Sequence, residues 1–179
     1  YFEKKKDINR LSEAYYCQGR ILSEQSASEE ALTAYLKAKE LVRETSDRDL
    51  EARINNHLGT LYWENGRTEK SLSCYKEAYR NYEMEQNKIG MTNTLRNIGK
   101  SMHGLEKLDS AYFYLDRAFV FAKNENLESQ MAYILSSMGS IYAEKGLYEK
   151  ALAYQKESLN YSRIQNTKSS CYYAIGESY

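Results

Sequence analysis

YYCQG at Tyr15–Gly19, NNHLG at Asn55–Gly59, LRNIG at Leu95–Gly99 and LSSMG at Leu135–Gly139 place four glycines 40 residues apart. Self-similarity at a period of about 20 to 50 residues marks an array whose units bury their apolar faces only against their neighbours. The chain therefore reads as a solenoid. Three positions after each glycine stands a large residue, Leu22, Tyr62, Met102 or Tyr142. Twelve positions after it the residue is small, Ala31, Ser71, Ala111 or Ala151, and nineteen after it small again, Ala38, Ala78, Ala118 or Ser158. Small residues there let two helix backbones approach, while the large ones recur at helical spacing. Each unit is thus two helices.

First helices are expected near 8–23, 48–64, 88–104 and 128–144, and second helices near 28–44, 68–85, 108–124 and 148–164. The units run 8–47, 48–87, 88–127 and 128–167, and CYYAIGESY around Gly176 begins a partial fifth over 168–179. Gly66 and Gly146, in WENGRTEKS and AEKGLYEKA, fall where the two helices of a unit meet, because glycine accepts the left-handed conformation that closes a helix. In the first unit that place holds Ser26, with Glu29 three residues on, a pattern expected to open the second helix as a capping box. Glu106, in the third unit, gives no clear signal. With no initiator Met and a helical pattern that stops at Tyr179, the chain reads as a piece of a longer protein.

Composition narrows the function. Lys plus Arg and Asp plus Glu each number 25, so no overall field favours nucleic acid, and no nucleic-acid contact is expected. No apolar run approaches the roughly 18 residues of a membrane helix. Cys17, Cys74 and Cys171 are too few and too scattered for a disulfide framework. His57 and His103 are the only histidines, with no Cys pair or carboxylate at ligand spacing, so no metal is expected. No nucleophile motif or phosphate-binding glycine loop occurs, which leaves no catalytic residue to nominate and no cofactor. The chain reads as a binding module, not an enzyme.

The units resemble tetratricopeptide repeats. Unit four carries the pattern in Leu135, Met138, Gly139, Tyr142, Gly146, Tyr148, Ala151, Tyr154 and Leu159, and unit two in Leu58, Gly59, Tyr62, Gly66, Ser71, Tyr75 and Ala78. The ordinary unit of that family is shorter and usually ends near a proline, whereas these units run 40 residues and the chain has no Pro. Longer units of this kind are similar to those of bacterial regulators that sense peptides, and of sensor proteins joining a repeat array to a membrane segment and an output domain. The resemblance implies an all-α, right-handed superhelical solenoid of antiparallel helix pairs, with about four full repeats and a truncated fifth.

In that family the first helices line a concave face, through positions six, three and two before the glycine and one and four after it. Carried onto this chain, those positions give Arg53, Asn56, His57, Thr60 and Trp63, then Asn93, Arg96, Asn97, Lys100 and His103, then Tyr133, Ser136, Ser137, Ser140 and Ala143. Unit one adds Glu13, Tyr16, Cys17, Arg20 and Ser23. Arg can hold a carboxylate bidentately, Asn can pair with a peptide backbone, and Trp or Tyr can stack on an extended chain. The resemblance therefore implies a protein or peptide partner, anionic or C-terminal, with Trp63, Arg96 and Asn97 as anchors. The plainer alternative is that these polar side chains are solvated and Trp63 packs between units. The second helices carry Tyr35, Tyr75, Tyr79, Tyr82, Tyr112, Tyr114, Tyr154 and Tyr161, most of which read as core. Two further alternatives are a scaffold that forms homodimers through those of them on the outer face, and a regulatory segment of an enzyme whose catalytic domain lies beyond Tyr179. The compartment is open between cytoplasm and, for the sensor part of a membrane-bound regulator, periplasm.

Overall fold

The computed structural model describes the backbone of residues 2–176 and the side chains of residues 4–162. Eight helices account for it: α1 (Phe2–Glu24), α2 (Ser28–Val42), α3 (Arg48–Glu64), α4 (Thr68–Met84), α5 (Lys88–Gly104), α6 (Leu108–Asn124), α7 (Glu128–Glu144) and α8 (Tyr148–Gly176). Each packs on the next in sequence. The backbones of the first helices of successive units, α1, α3, α5 and α7, also come close in series. Among the described residues the second helices, by contrast, reach one another only through long side chains, as Lys39 does Glu77, Arg117 does Tyr79 and Tyr112 does Tyr154. The array is therefore drawn together along its first helices and splayed along its second, which makes the first helices the inner face.

Packing explains the forty-residue glycine. A Cβ added at Gly59 would stand 2.6 Å from two ring carbons of Tyr75 on α4, and one at Gly99 2.8 Å from Leu115 on α6. The second helix lies too close for any side chain at that position. The small residues opposite are the counterpart of the same approach, since Ala31, Ser71 and Ala111, like Ala38, Ala78 and Ala118, are fully buried. Burying an aromatic or aliphatic side chain such as Tyr35, Ile54, Leu95 or Ile134 beside them contributes roughly 1.5 to 3 kcal/mol each.

Turns follow a shorter rhythm than the sequence pattern reveals. Residues with positive φ recur every twenty positions, at Ser26, Ser46, Gly66, Gln86, Glu106, Asn126 and Gly146. Six of these seven share one pair of hydrogen bonds, typified by Gly66 N donating to Trp63 O at 3.0 Å and Arg67 N to Tyr62 O at 2.8 Å. These bonds satisfy two of the carbonyls a helix end leaves open. Ser46 is the exception, because α2 stops at Val42 rather than near 44, and Thr45 Oγ1 donates to the Val42 carbonyl. Ser26 corrects the capping-box expectation: it closes α1, and the residue at the N-cap of α2 is Ala27, with no side-chain cap. Asp47 and Asn87 do cap α3 and α5, accepting from Leu50 N and Gly90 N.

A left-handed backbone costs an ordinary L-residue about 1 to 2 kcal/mol, a penalty glycine escapes. Glu106→Gly, at φ 58°, is accordingly expected to raise stability by about 1 kcal/mol, or about 2 to 4 °C in Tm for a chain of this size. A lowered melting temperature would show that the glutamate side chain contributes something the turn geometry does not record.

The last helix differs from expectation. α8 continues unbroken from Tyr148 to Gly176, past the end expected near 164, and no Gly or Pro interrupts it between Ser162 and Ile175. The twenty-residue rhythm would place the next left-handed residue at Asn166, which is helical here. The partial fifth unit, with Cys171, lies outside the residues whose side chains are described.

Candidate binding groove

The inner face is held together by bonds that cross from one unit to the next. Asn56 Oδ1 accepts from Asn97 Nδ2 at 3.3 Å and from Thr94 Oγ1 at 3.5 Å, tying α3 to α5. Lys100 Nζ sits 3.7 Å from the centre of the Trp63 ring, again across that boundary. His103 Nε2 meets Glu144 Oε1 at 2.7 Å between α5 and α7. Towards the N-terminal end, Arg53 pairs with Glu13 of α1 and with Asp49 on its own helix, and its guanidinium covers the Tyr16 ring at 5.3 Å. Thr60 shares a 3.0 Å hydrogen bond with the Tyr75 hydroxyl, and Asn93 is half-buried.

His57 is a packing residue in this arrangement. Its ring lies edge-on to Tyr16 and stacks on Tyr35, with centroid distances of 5.5 and 5.8 Å. Burial first, then the positive charges of Arg20 and Arg53, push its pKa down from 6.5 to about 4. The folded state therefore prefers the neutral imidazole, and stability is lost as pH falls from 6.5 towards 4, where the unfolded chain takes up the proton and the folded one does not. His57→Gln is expected to remove that component. A pH-stability curve for the variant with the same slope as the wild type between pH 6.5 and 4 would sink the assignment.

Six of the twenty candidate positions surround one pocket, of about 480 Å³, walled by Arg96, Asn97 and Lys100 from α5 and by Tyr133, Ser136 and Ser137 from α7. Arg96 is largely buried, which pushes its pKa down, with Tyr75 and Tyr133 opposing. Among the described residues no carboxylate oxygen comes within 4.0 Å of Arg96 or Lys100. Tyr133 stands 66 % exposed at the pocket wall. The Ser137 hydroxyl donates to the Tyr133 carbonyl and Ser136 lies against Gln155, so both serines are already tied to their surroundings. Trp63 adjoins the pocket through Lys100, whereas Arg53, His57 and Thr60 are engaged with α1, α2 and α4. Of the balancing carboxylates, Glu13 stood among the positions the sequence pattern gave, whereas Asp49 and Glu144 did not, because the pattern gives a face but not which side chains reach across a boundary.

The second-helix tyrosines mostly point inward, as their reading as core residues expects. Tyr35, Tyr75 and Tyr82 are buried, and Tyr79, Tyr112, Tyr114, Tyr154 and Tyr161 pack partly buried against the core. Tyr112 and Tyr154 share a 3.0 Å hydroxyl contact that raises the Tyr112 pKa, and Tyr142 stacks on Tyr154. Among the described residues no cluster of His, Cys, Asp and Glu could hold a metal ion, and no helix is long and apolar enough to cross a membrane.

Tetratricopeptide repeat models match residues 10–84 and 132–165, together more than half of the chain. The chain belongs to the tetratricopeptide repeat family. The search of curated protein sequences returned no match. Among solved structures, the array resembles aspartyl phosphate phosphatase F from Bacillus subtilis, with TM-score 0.83 and 18% identity over 88% of this chain and 42% of that one. It is also similar to BtubC (BKLC) from P. vanneervenii, with TM-score 0.80 and 18% identity over 87% and 65% of the two chains. A third similar structure is the Rap conjugation gene regulator of the plasmid pLS20 in complex with the Phr* peptide, with TM-score 0.72 and 19% identity over 82% and 41%. At such identities the likeness concerns the fold, and the tetratricopeptide array spans less than two thirds of each of these proteins.

Proposed function

We propose that this tetratricopeptide array is a peptide-binding module, the recognition part of a bacterial regulatory protein, that holds an anionic or C-terminal segment at the α5–α7 pocket. One observation carries the reading. Arg96 and Lys100 face the same pocket without a carboxylate beside them, while Arg53 and His103 on the same face have theirs. A partly desolvated, uncompensated cation is costly alone and favours an anionic ligand. The pLS20 regulator, solved with a peptide bound, supports the reading as a neighbour in fold.

Fluorescence anisotropy with labelled degenerate peptides tests it. Acidic pools, with free and with amidated C termini, are expected to bind more tightly than a neutral pool and to weaken as salt is raised. Equal binding of acidic and neutral pools would reject an anion-selective groove. The scaffold alternative keeps a different surface, since Phe113 and Val120 on α6 are 55 % and 51 % exposed on the side away from the first helices. Light scattering that rises with concentration, and falls with Phe113→Ser, would favour self-association through it.

A further inference from the structure

We infer that the α5–α7 pocket is a dianion site, built for a phosphoryl group rather than a single carboxylate. The inference rests on the reading of this pocket as the ligand site and specifies the chemistry it takes. Arg96 and Lys100 are one helical turn apart on α5 and line the same pocket, so they place two positive charges side by side in a chain whose net charge is zero. The other cations of the inner face have partners: Arg20 has Glu24, Arg53 has Glu13 and Asp49, and His103 has Glu144. Lys145, at the end of α7, meets Asp109. One carboxylate would balance only one of the two remaining charges. A phosphoryl group carries about −1.5 to −2 at neutral pH and three acceptor oxygens, enough for both.

The two cations are also suited to different parts of that task. Arg96 offers a planar fork that takes two oxygens at once, and burial has already removed much of its water. Lys100 contributes a point charge whose position is fixed by the Trp63 ring beneath it, 3.7 Å away. The serine hydroxyls donate within the protein, so cationic donors dominate the pocket. Its roughly 480 Å³ far exceeds the about 30 Å³ that one water occupies in the liquid, which leaves room for a side chain and its flanking residues along Tyr133.

The test compares the whole chain with Arg96→Gln and Lys100→Gln, each checked for unchanged helicity. The probes are phosphoserine-centred, glutamate-centred and serine-centred degenerate peptide pools, and inorganic phosphate alone. The phosphoserine pool is expected to bind about tenfold more tightly than the glutamate pool, with the advantage lost in either variant. If glutamate and phosphoserine pools bind equally and depend on Arg96, the dianion inference is overturned while the peptide groove stands. If inorganic phosphate binds in an Arg96-dependent way and no pool does, the dianion site stands with a free anion as its source, and the peptide reading falls. Binding of neither phosphate nor any pool overturns both.

Discussion

Arg96→Glu/Lys100→Glu is expected to abolish binding of an acidic peptide while leaving the helical content unchanged. A charge-assisted hydrogen bond contributes roughly 1.5 to 3 kcal/mol, so losing two of them weakens binding at least about a hundredfold, before repulsion from the introduced carboxylates is added. The fold should tolerate the change because neither side chain balances a carboxylate, Lys100 is exposed, and Arg96, though largely buried, already carries a charge to the pocket wall where the glutamate would stand. Taking the Lys100 ammonium away from the Trp63 ring costs about 0.5 to 1 kcal/mol at an exposed site. Two new carboxylates one turn apart on α5 add a mild repulsion of about a few tenths of a kcal/mol. Matching far-ultraviolet circular dichroism together with a vanished anisotropy signal is the expected pair of results. An affinity equal to wild type would move the ligand away from α5.

Much of the architecture was legible because a solenoid repeats its packing requirements. A residue that must be absent, as the side chain at Gly59 must be for Tyr75 to fit, recurs in every unit and so appears as a period. The bounds expected for α3, α5, α6 and α7 coincide with those observed for the same reason. Turns were less legible. The left-handed position is set by the backbone bonds of the helix end, and those bonds form equally at Ser26, Gln86, Glu106 and Asn126 as at Gly66 and Gly146. Glycine signals the position only where it happens to be used. Ser26 misleads because Ser is a strong N-cap type, and the identity of the residue says nothing of the handedness its backbone takes.

The pocket was half legible. Position relative to the glycine groups Arg96, Asn97, Lys100, Tyr133, Ser136 and Ser137, and these six do line one pocket, yet it assigns Arg53, six before its glycine, and Arg96, three before its own, to the same face without telling them apart. What separates them is whether another unit sends a carboxylate back. Glu13 does so for Arg53 across 40 residues, whereas the residue 40 before Arg96 is Asn56, which already bonds Asn97. Such reach across a boundary depends on the superhelical geometry and on side-chain length, neither of which a period encodes.

Asn55→Leu is expected to stabilise the fold by about 1 to 3 kcal/mol. Asn55 is fully buried, and neither its amide nitrogen nor its carbonyl oxygen has a hydrogen-bond partner, so both groups have left water without replacement. That desolvation costs about 1 to 3 kcal/mol for a polar group. The forty-residue period supplies the substitute, because the same position holds Leu95 in unit three and Leu135 in unit four, exposed by only 1% and 2%. Leucine is somewhat larger than asparagine, and overpacking can consume part of the gain. The net effect should appear as a urea midpoint shifted upward with an unchanged slope, together with a Tm higher by about 2 to 4 °C per kcal/mol. Peptide binding at Arg96, one unit further along, should stay as it was. A destabilised variant would mean that a buried water bonds the amide of Asn55, since a polar cavity with two unpaired atoms is the kind of site that holds one.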